Sequence, residues 1–234
     1  MKLSIVIPCY NEEESVPKLL ESIGAAVTRT DVEALIVDNG STDDTATVLA
    51  TLAPQYPMIR TVNVPVNQGY GFGILSGLRE ARGEYIGWMH GDLQTPFVDA
   101  LRALEVIEAH GNPDDIYVKG LRQGRSLFDL FFTYGMAAFE TLLLRTALFD
   151  INAQPNIFHR SFFESWTNPP HDFALDLYAY HLAKKQGLRI VRVPVTFPKR
   201  EHGTSHWNTS VLGKWKFIKR TIAFSLVLRK RLER

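Results

Sequence analysis

The sequence has a single cysteine, Cys9, in 234 residues, so no disulfide can form within the chain. That excludes a disulfide-stapled scaffold and fits a reducing compartment, with cytoplasmic localisation the expectation. There is no run of about 18 apolar residues, which excludes a membrane-spanning helix. The stretch from Lys2 to Pro8 is too short and apolar for only a few residues, so no secretory signal is expected there. Charge of one sign is also missing: the net charge is +1, which gives no reason to expect a nucleic-acid partner. Internal repeats, low-complexity stretches and clear linkers are absent. So is a Gly-rich phosphate loop, because the glycines of Gly69-Tyr70-Gly71-Phe72-Gly73 do not follow the GxGxxG spacing. That run reads better as a tight turn with close helix packing. What remains, at 45% hydrophobic and 22% charged, is an ordinary globular chain long enough to bury a substantial core.

The order of elements gives the fold class. Leu3 to Ile7, Ala34 to Val37, Ile59 to Val64 and Tyr85 to Met89 are short apolar runs that read as buried strands. Between them lie helical patterns. The first is expected to open at Asn11-Glu12-Glu13-Glu14, with an acidic first turn facing the helix dipole. The second is expected to open at Thr42-Asp43-Asp44-Thr45 with capping residues, and the third follows Gly73. Leu101 to Ala109 predicts another helix and Ile116 to Val118 another strand, leading to Lys119-Gly120-Leu121-Arg122. Phe128 to Leu148 predicts a long apolar helix or helix pair, Phe173 to Gln186 a helix, Leu188 to Val195 a strand, and Thr209 to Arg234 a final helix. Strands alternating with helices imply an α/β fold with a mostly parallel sheet and right-handed crossovers.

Four polar clusters follow the first four strands: Pro8-Cys9-Tyr10-Asn11-Glu12, Asp38-Asn39-Gly40-Ser41, Asn67-Gln68-Gly69, and Asp92-Leu93-Gln94. In a parallel sheet all four fall at the carboxyl edge, where open α/β sheets hold their ligands. Each cluster alone reads as a loop with turn-forming residues. Together they suggest a nucleotide held by side chains and a metal. Asp92 and Gln94 are two residues apart in an extended segment and project to one side. Both offer oxygen, which suits a hard divalent cation, Mg or Mn, carrying substrate phosphates. Cys9 reads as a packing residue.

The joint occurrence of IVIPCYNEEESV, LIVDNGSTDDT, NQGYGFGILSGLREARGEYI, HGDLQTP and IVRVPVTFPKREHGTSHW resembles the family-two glycosyltransferases, over about residues 1 to 207. The narrower likeness is to polyprenyl-phosphate glycosyltransferases of the dolichol-phosphate mannose synthase type. The resemblance implies a GT-A (Rossmann-like) domain over 1–208, with a nucleotide-sugar half at 1–115, an acceptor half with a closing loop at 116–208, and an amphipathic helix at 209–234. It implies that Pro8, Tyr10, Asn11 and Glu12 line the base and ribose, with Asn39 beside Asp38, the acid that reads the base. Asp92 and Gln94 would hold the metal under the diphosphate. Arg122 lies where the family has a basic residue after the fifth strand, and Arg200 and Ser205 belong to the loop that closes over the phosphates. Asp92 and Arg200 are the residues expected to carry catalysis.

Two departures stand out. The family's Asp-x-Asp has His90 in place of its first acid. His90 either ligates the metal, favouring Mn over Mg as a neutral imidazole does, or packs beside it. In the Asp150 to Phe158 segment, Asn156 stands where the family often has a basic residue. The implied activity is inverting transfer of a hexose from a UDP- or GDP-sugar to a polyprenyl phosphate, whose anionic oxygen needs no general base. Transfer to a glycan hydroxyl is the alternative, with Asp172, Asp176, Glu164 or His171 as base candidates. A degenerate domain that binds without turnover is a third reading. The stretch from Lys199 to Arg234 carries +8 and leaves −7 on the rest. Val211, Trp215, Ile218, Ile222 and Leu226 recur there at helical spacing. That pattern predicts a basic amphipathic helix lying on the cytoplasmic face of a membrane, packing on the sheet as a terminal helix, or meeting a second copy of the chain in a homodimer.

Overall fold

The computed structural model describes residues 1–91, 95–124, 127–196, 219 and 222–230. Among these, seven strands form one sheet: β1 (Leu3–Cys9), β2 (Val32–Asn39), β3 (Ile59–Val64), β4 (Tyr85–Trp88), β5 (Ile116–Gln123), β6 (Asn156–His159) and β7 (Arg189–Thr196). Their spatial order is β3-β2-β1-β4-β6-β5-β7. The neighbours β1/β2, β1/β4, β2/β3 and β5/β7 run parallel, and β6 is antiparallel to both β4 and β5.

Alternation along the strands divides the core into two layers. Leu3, Ile5, Ile7, Val32, Ala34, Ile36, Ile116 and Val118 face one side, with α1 (Val16–Ala26) and α4 (Val98–Ala109). Val6, Leu35, Val37, Ile86, Trp88 and Tyr117 face the other, with α3 (Tyr70–Glu80) and α7 (Ala174–Lys185). A strand whose successive side chains feed opposite layers must be apolar throughout, and β2 is buried at all eight positions.

Several boundaries differ from the sequence reading. The helix α1 begins at Val16, not at Asn11, with a proline at its start and no acid in its first turn. Pro17 lacks a donor that the first turn would leave unpaired anyway. The preceding turn is tied down instead by the second cluster and the start of the next helix: the Asn11, Glu12 and Glu13 amides donate to Ser41 Oγ at 3.0 Å, Thr45 Oγ1 at 2.8 Å and Asp43 Oδ2 at 3.3 Å. The helix α2 (Thr45–Leu52) makes no side-chain bond at Asp44; Asp43 Oδ1 accepts from the Thr45 amide. The strand β5 continues through Lys119 to Gln123. Neither β6 nor the short α6 (Arg160–Glu164) was expected.

The helix α5 (Leu127–Leu144) carries a second helical segment at 222–230 on its side. Ser225 Oγ donates to Glu140 Oε1, both residues are buried, and Leu228 enters the α3/α7 layer. Burial pushes the Glu140 carboxyl up to about 7, against the Ser225 hydrogen bond that favours its charge. The unfolded chain therefore gives up this proton first, and stability falls as pH rises from about 4.5 to about 7. Glu140→Gln removes that loss, which is up to about 3 kcal/mol. Thermal midpoints at pH 5 and pH 8 check this: the wild type should drop more than Glu140→Gln, and equal drops would remove Glu140 from the account.

Candidate functional site

The parallel pairing brings three of the four clusters together at the carboxyl edge. Cys9 lies opposite Asp38 in the β1/β2 register, and Asp38 lies opposite Asn63 in β2/β3. Asn11 Oδ1 accepts from the Thr42 amide at 2.8 Å. Asn39 Nδ2 donates to Gly69 O at 3.1 Å, joining the second cluster to the third. The fourth cluster enters beside them: the Met89 amide donates to Val6 O at 3.0 Å, and a side chain at Gly91 would come within 3.2 Å of Cys9 Sγ. Asp92, Gln94, Arg200 and Ser205 lie outside the described residues.

The described candidates differ in accessibility. Tyr10 and Asn11 are exposed, Pro8 and Glu12 half-buried. Asp38 is buried and its Oδ1 accepts from the Ser41 amide at 3.0 Å. Asn39 is buried too, and its Oδ1 has no hydrogen-bond partner. Burial, then the charges of Glu12 and Asp38, push the Cys9 thiol far above its ordinary value, so Cys9 stays a thiol and is no nucleophile. Glu12 and Asp38, the two carboxylates acting on Cys9, make the field at the end of β1 negative. A bare diphosphate is repelled by such a field, and one carrying a divalent cation is not.

Arg122 is half-buried and engaged by Asp150, whose Oδ1 accepts from Arg122 Nε at 2.8 Å and from Nη2, while Oδ2 accepts from the Arg122 amide at 2.9 Å. Burial raises the Asp150 carboxyl, but the Arg122 charge and hydrogen bonds outweigh it and hold it below the ordinary value. Arg122 is thus aimed by Asp150, a residue the sequence reading placed only in the acceptor-side segment.

Asn156 is fully buried, opposite Trp88 at the end of β4. Its Oδ1 accepts from Lys119 Nζ at 2.7 Å and Tyr117 Oη at 3.1 Å, and its Nδ2 donates to Asp176 Oδ1 at 3.0 Å. Trp88 Nε1 donates to the same Asp176 oxygen at 3.2 Å. Burial pulls the Lys119 ammonium down to about 7, with the Asp176 charge opposing. Two of the base candidates therefore leave the site. Asp176 is buried in this network. Glu164 follows β6, whose His159 end pairs with Tyr85 at the start of β4, so it lies at the opposite edge of the sheet.

Asp172 and His171 stay at the carboxyl edge, against α3. The Phe72 amide donates to His171 O at 3.0 Å. A Cβ at Gly69 would come within 2.5 Å of His171 O, and one at Gly71 within 2.7 Å of Asp172 O, so only glycine admits this approach. That is the close helix packing the GYGFG run predicts. Asp172 Oδ1 accepts from the Ala174 amide at 2.9 Å, at the start of α7. His90 is half-buried with its ring 5.8 Å from that of Tyr70. Among the described residues no three His, Cys, Asp or Glu side chains cluster as metal ligands.

A mostly parallel sheet with polar strand ends gathered at one edge is an open α/β arrangement, and it matches that of GT-A glycosyltransferases. The structure superposes on glucosyl-3-phosphoglycerate synthase from Mycobacterium tuberculosis, crystallised with Mn2+ and UDP, with a TM-score of 0.71 at 20% identity over 97% of this chain and 79% of that one. The Glycosyl transferase family 2 domain matches residues 4–167, and the chain belongs to that family. Among curated relatives, an undecaprenyl-phosphate 4-deoxy-4-formamido-L-arabinose transferase of Sodalis glossinidius is 31% identical, covering 88% of this chain and 63% of its own length. A dolichyl-phosphate beta-glucosyltransferase of Trichomonas vaginalis is 37% identical over 45% of this chain and 34% of its own. The chain thus spans less than two thirds of the length of these curated relatives.

Proposed function

We propose that this protein transfers a hexose, with inversion, from a UDP- or GDP-sugar to a polyprenyl phosphate at a membrane surface. The observation that carries this reading is the gathering of the strand ends of β1, β2 and β3 beside the segment leading to Asp92, in a chain whose relatives are named for polyprenyl-phosphate sugar transfer. Tyr10, Asn11 and Glu12, with Pro8 below them, form the open side on which base and ribose lie. Asp38 and Asn39 form its floor, and the unpartnered Asn39 Oδ1 is an acceptor for a donor on the nucleoside. Asp92 and Gln94 hold a divalent cation, Mg or Mn, with His90 a further nitrogen donor next in line. The negative field around Cys9 fits a cation there. When bound, the metal supplies charge for the leaving diphosphate. Arg200 and Ser205 close over that diphosphate, Arg as a bidentate fork. Arg122, held by Asp150, is a further basic residue for the nucleotide sugar. The acceptor oxygen is already anionic, so one in-line attack at the anomeric carbon suffices and gives inversion.

Transfer to a glycan hydroxyl is the second reading, and one observation favours it: Asp172 remains at the carboxyl edge, where a base would stand.

The C-terminal segment is proposed to bring the enzyme to the cytoplasmic face of a membrane without crossing it; among the described residues no helix is long and apolar enough to cross one. Its Leu226 and Val227 are exposed at 46% and 50%, beside exposed Arg229 and Lys230, while Leu228 is buried. Each basic residue near an anionic surface contributes about 1 kcal/mol, screened by salt. The protein should co-sediment with anionic liposomes at low salt and be released at high salt, and deletion of 209–234 should abolish this. Protein left in the supernatant at low salt would overturn membrane attachment. For the donor, a thermal-shift screen of UDP, GDP and their sugars with Mn should raise the melting temperature for one base only. No shift with any of them would overturn the donor assignment.

A further inference from the structure

Two large rings stand together at the carboxyl edge without a role in the account so far. Tyr70 opens α3 and Phe173 precedes α7; their rings stack with centroids 4.8 Å apart and planes 10° apart. Phe173 is 48% exposed. The stack is held from behind. The approach of Gly69 and Gly71 to the 170–172 backbone fixes α3 against the start of α7. Gln154 Nε2 donates to Tyr70 Oη at 2.7 Å. Gln154 is buried, and its Oε1 has no hydrogen-bond partner. A buried amide oxygen without a donor is uncommon, and a ligand hydroxyl reaching the foot of the stack would supply one. The Tyr70 ring lies 5.8 Å from the His90 imidazole, two residues from Asp92.

We propose that Phe173 and Tyr70 form the wall on which the hexose ring of the donor lies, with Gln154 as the positioning residue that holds Tyr70 and meets a sugar hydroxyl. This rests on the functional reading above, because the sugar hangs from the diphosphate that Asp92 and its metal would hold. A pyranose presents one face of C–H bonds, which an aromatic ring covers, and a rim of hydroxyls, which need acceptors. An exposed Phe173 ring, a half-buried Tyr70 ring and one buried acceptor match that split of apolar face and polar edge. The wall is rigid before the sugar arrives, so little ordering entropy is lost on binding. It recognises the sugar and leaves the nucleotide untouched.

The test is calorimetric binding of UDP and UDP-glucose, or GDP and GDP-mannose, with Mn, to the full chain. Phe173→Leu keeps apolar bulk and removes the ring face. It should weaken the nucleotide sugar about three- to tenfold while nucleoside-diphosphate affinity stays within about twofold. Tyr70→Phe keeps the stack and loses the Gln154 bond, and should weaken the sugar less. A melting temperature like that of wild type excludes misfolding, and Phe173→Tyr, which restores a ring, should rescue sugar binding. Equal weakening of both ligands, or of neither, overturns the wall alone. Failure of the wild type to bind either nucleoside diphosphate overturns the functional reading and the wall with it.

Discussion

Asp92→Ala is expected to abolish sugar transfer in a protein that still folds. The residue follows β4 in sequence, and the register of β1, β2 and β3 brings the neighbouring strand ends together. If Asp92 holds the cation as proposed, its loss would take away several kcal/mol of charge stabilisation as the diphosphate leaves, on the order of a thousandfold or more in rate. Nucleotide binding should also lose its dependence on Mn. The melting temperature should stay like that of wild type. A folded Asp92→Ala protein with near-normal turnover would remove Asp92 from the reaction. Arg200→Ala is expected to behave differently, lowering the rate far more than it weakens nucleoside-diphosphate binding, because its charge matters most once the leaving group has formed.

Asp176→Ala is expected to have the largest effect on stability. Its carboxylate is buried and accepts from both Trp88 Nε1 and Asn156 Nδ2, while Lys119 Nζ closes the network through Asn156 Oδ1. Removing it strands two buried donors and takes away the negative charge that opposes the burial of Lys119. Breaking such an arrangement costs about 3–5 kcal/mol. Asp176→Asn keeps an acceptor oxygen in place and should cost less. The midpoint of denaturant unfolding measures both, and a loss under about 1 kcal/mol for Asp176→Ala would show that the network carries no weight. The lowered Lys119 adds a sign of its own. The unfolded chain holds this proton more tightly between about pH 7 and the ordinary lysine range, so Lys119 makes stability rise with pH there.

The parallel half of the fold was legible because β1 and β2 are continuous apolar runs and the residues after them are turn-formers. The antiparallel β6 was not, because four residues carry too little periodicity, and what makes Asn156–His159 a strand is the slot between β4 and β5. Lys119 read as the end of a strand; its burial depends on Asn156 and on Asp176, which lie far along the chain. For the same reason Asp176 stood among base candidates, although its partner Trp88 holds it in the core. The start of α1 was misplaced because three glutamates imitate a helix opening, while side chains of the second polar cluster and of the start of the next helix bind the amides there. In the site, the strand-end clusters were visible as sequence. The Asp150 grip on Arg122 and the Tyr70–Phe173 stack were not, since each joins segments that meet only in the folded sheet.

The most direct measurement is of the product. Wild-type protein is incubated with the donor sugar selected by thermal shift, Mn and a polyprenyl phosphate in detergent or liposomes, and the lipid extract is analysed by mass spectrometry and NMR. The account predicts a polyprenyl phosphate carrying one hexose, with its anomeric configuration inverted relative to the donor, formed only with metal and absent with Asp92→Ala. Release of nucleoside diphosphate without any sugar on the lipid, or a product of retained configuration, would contradict it.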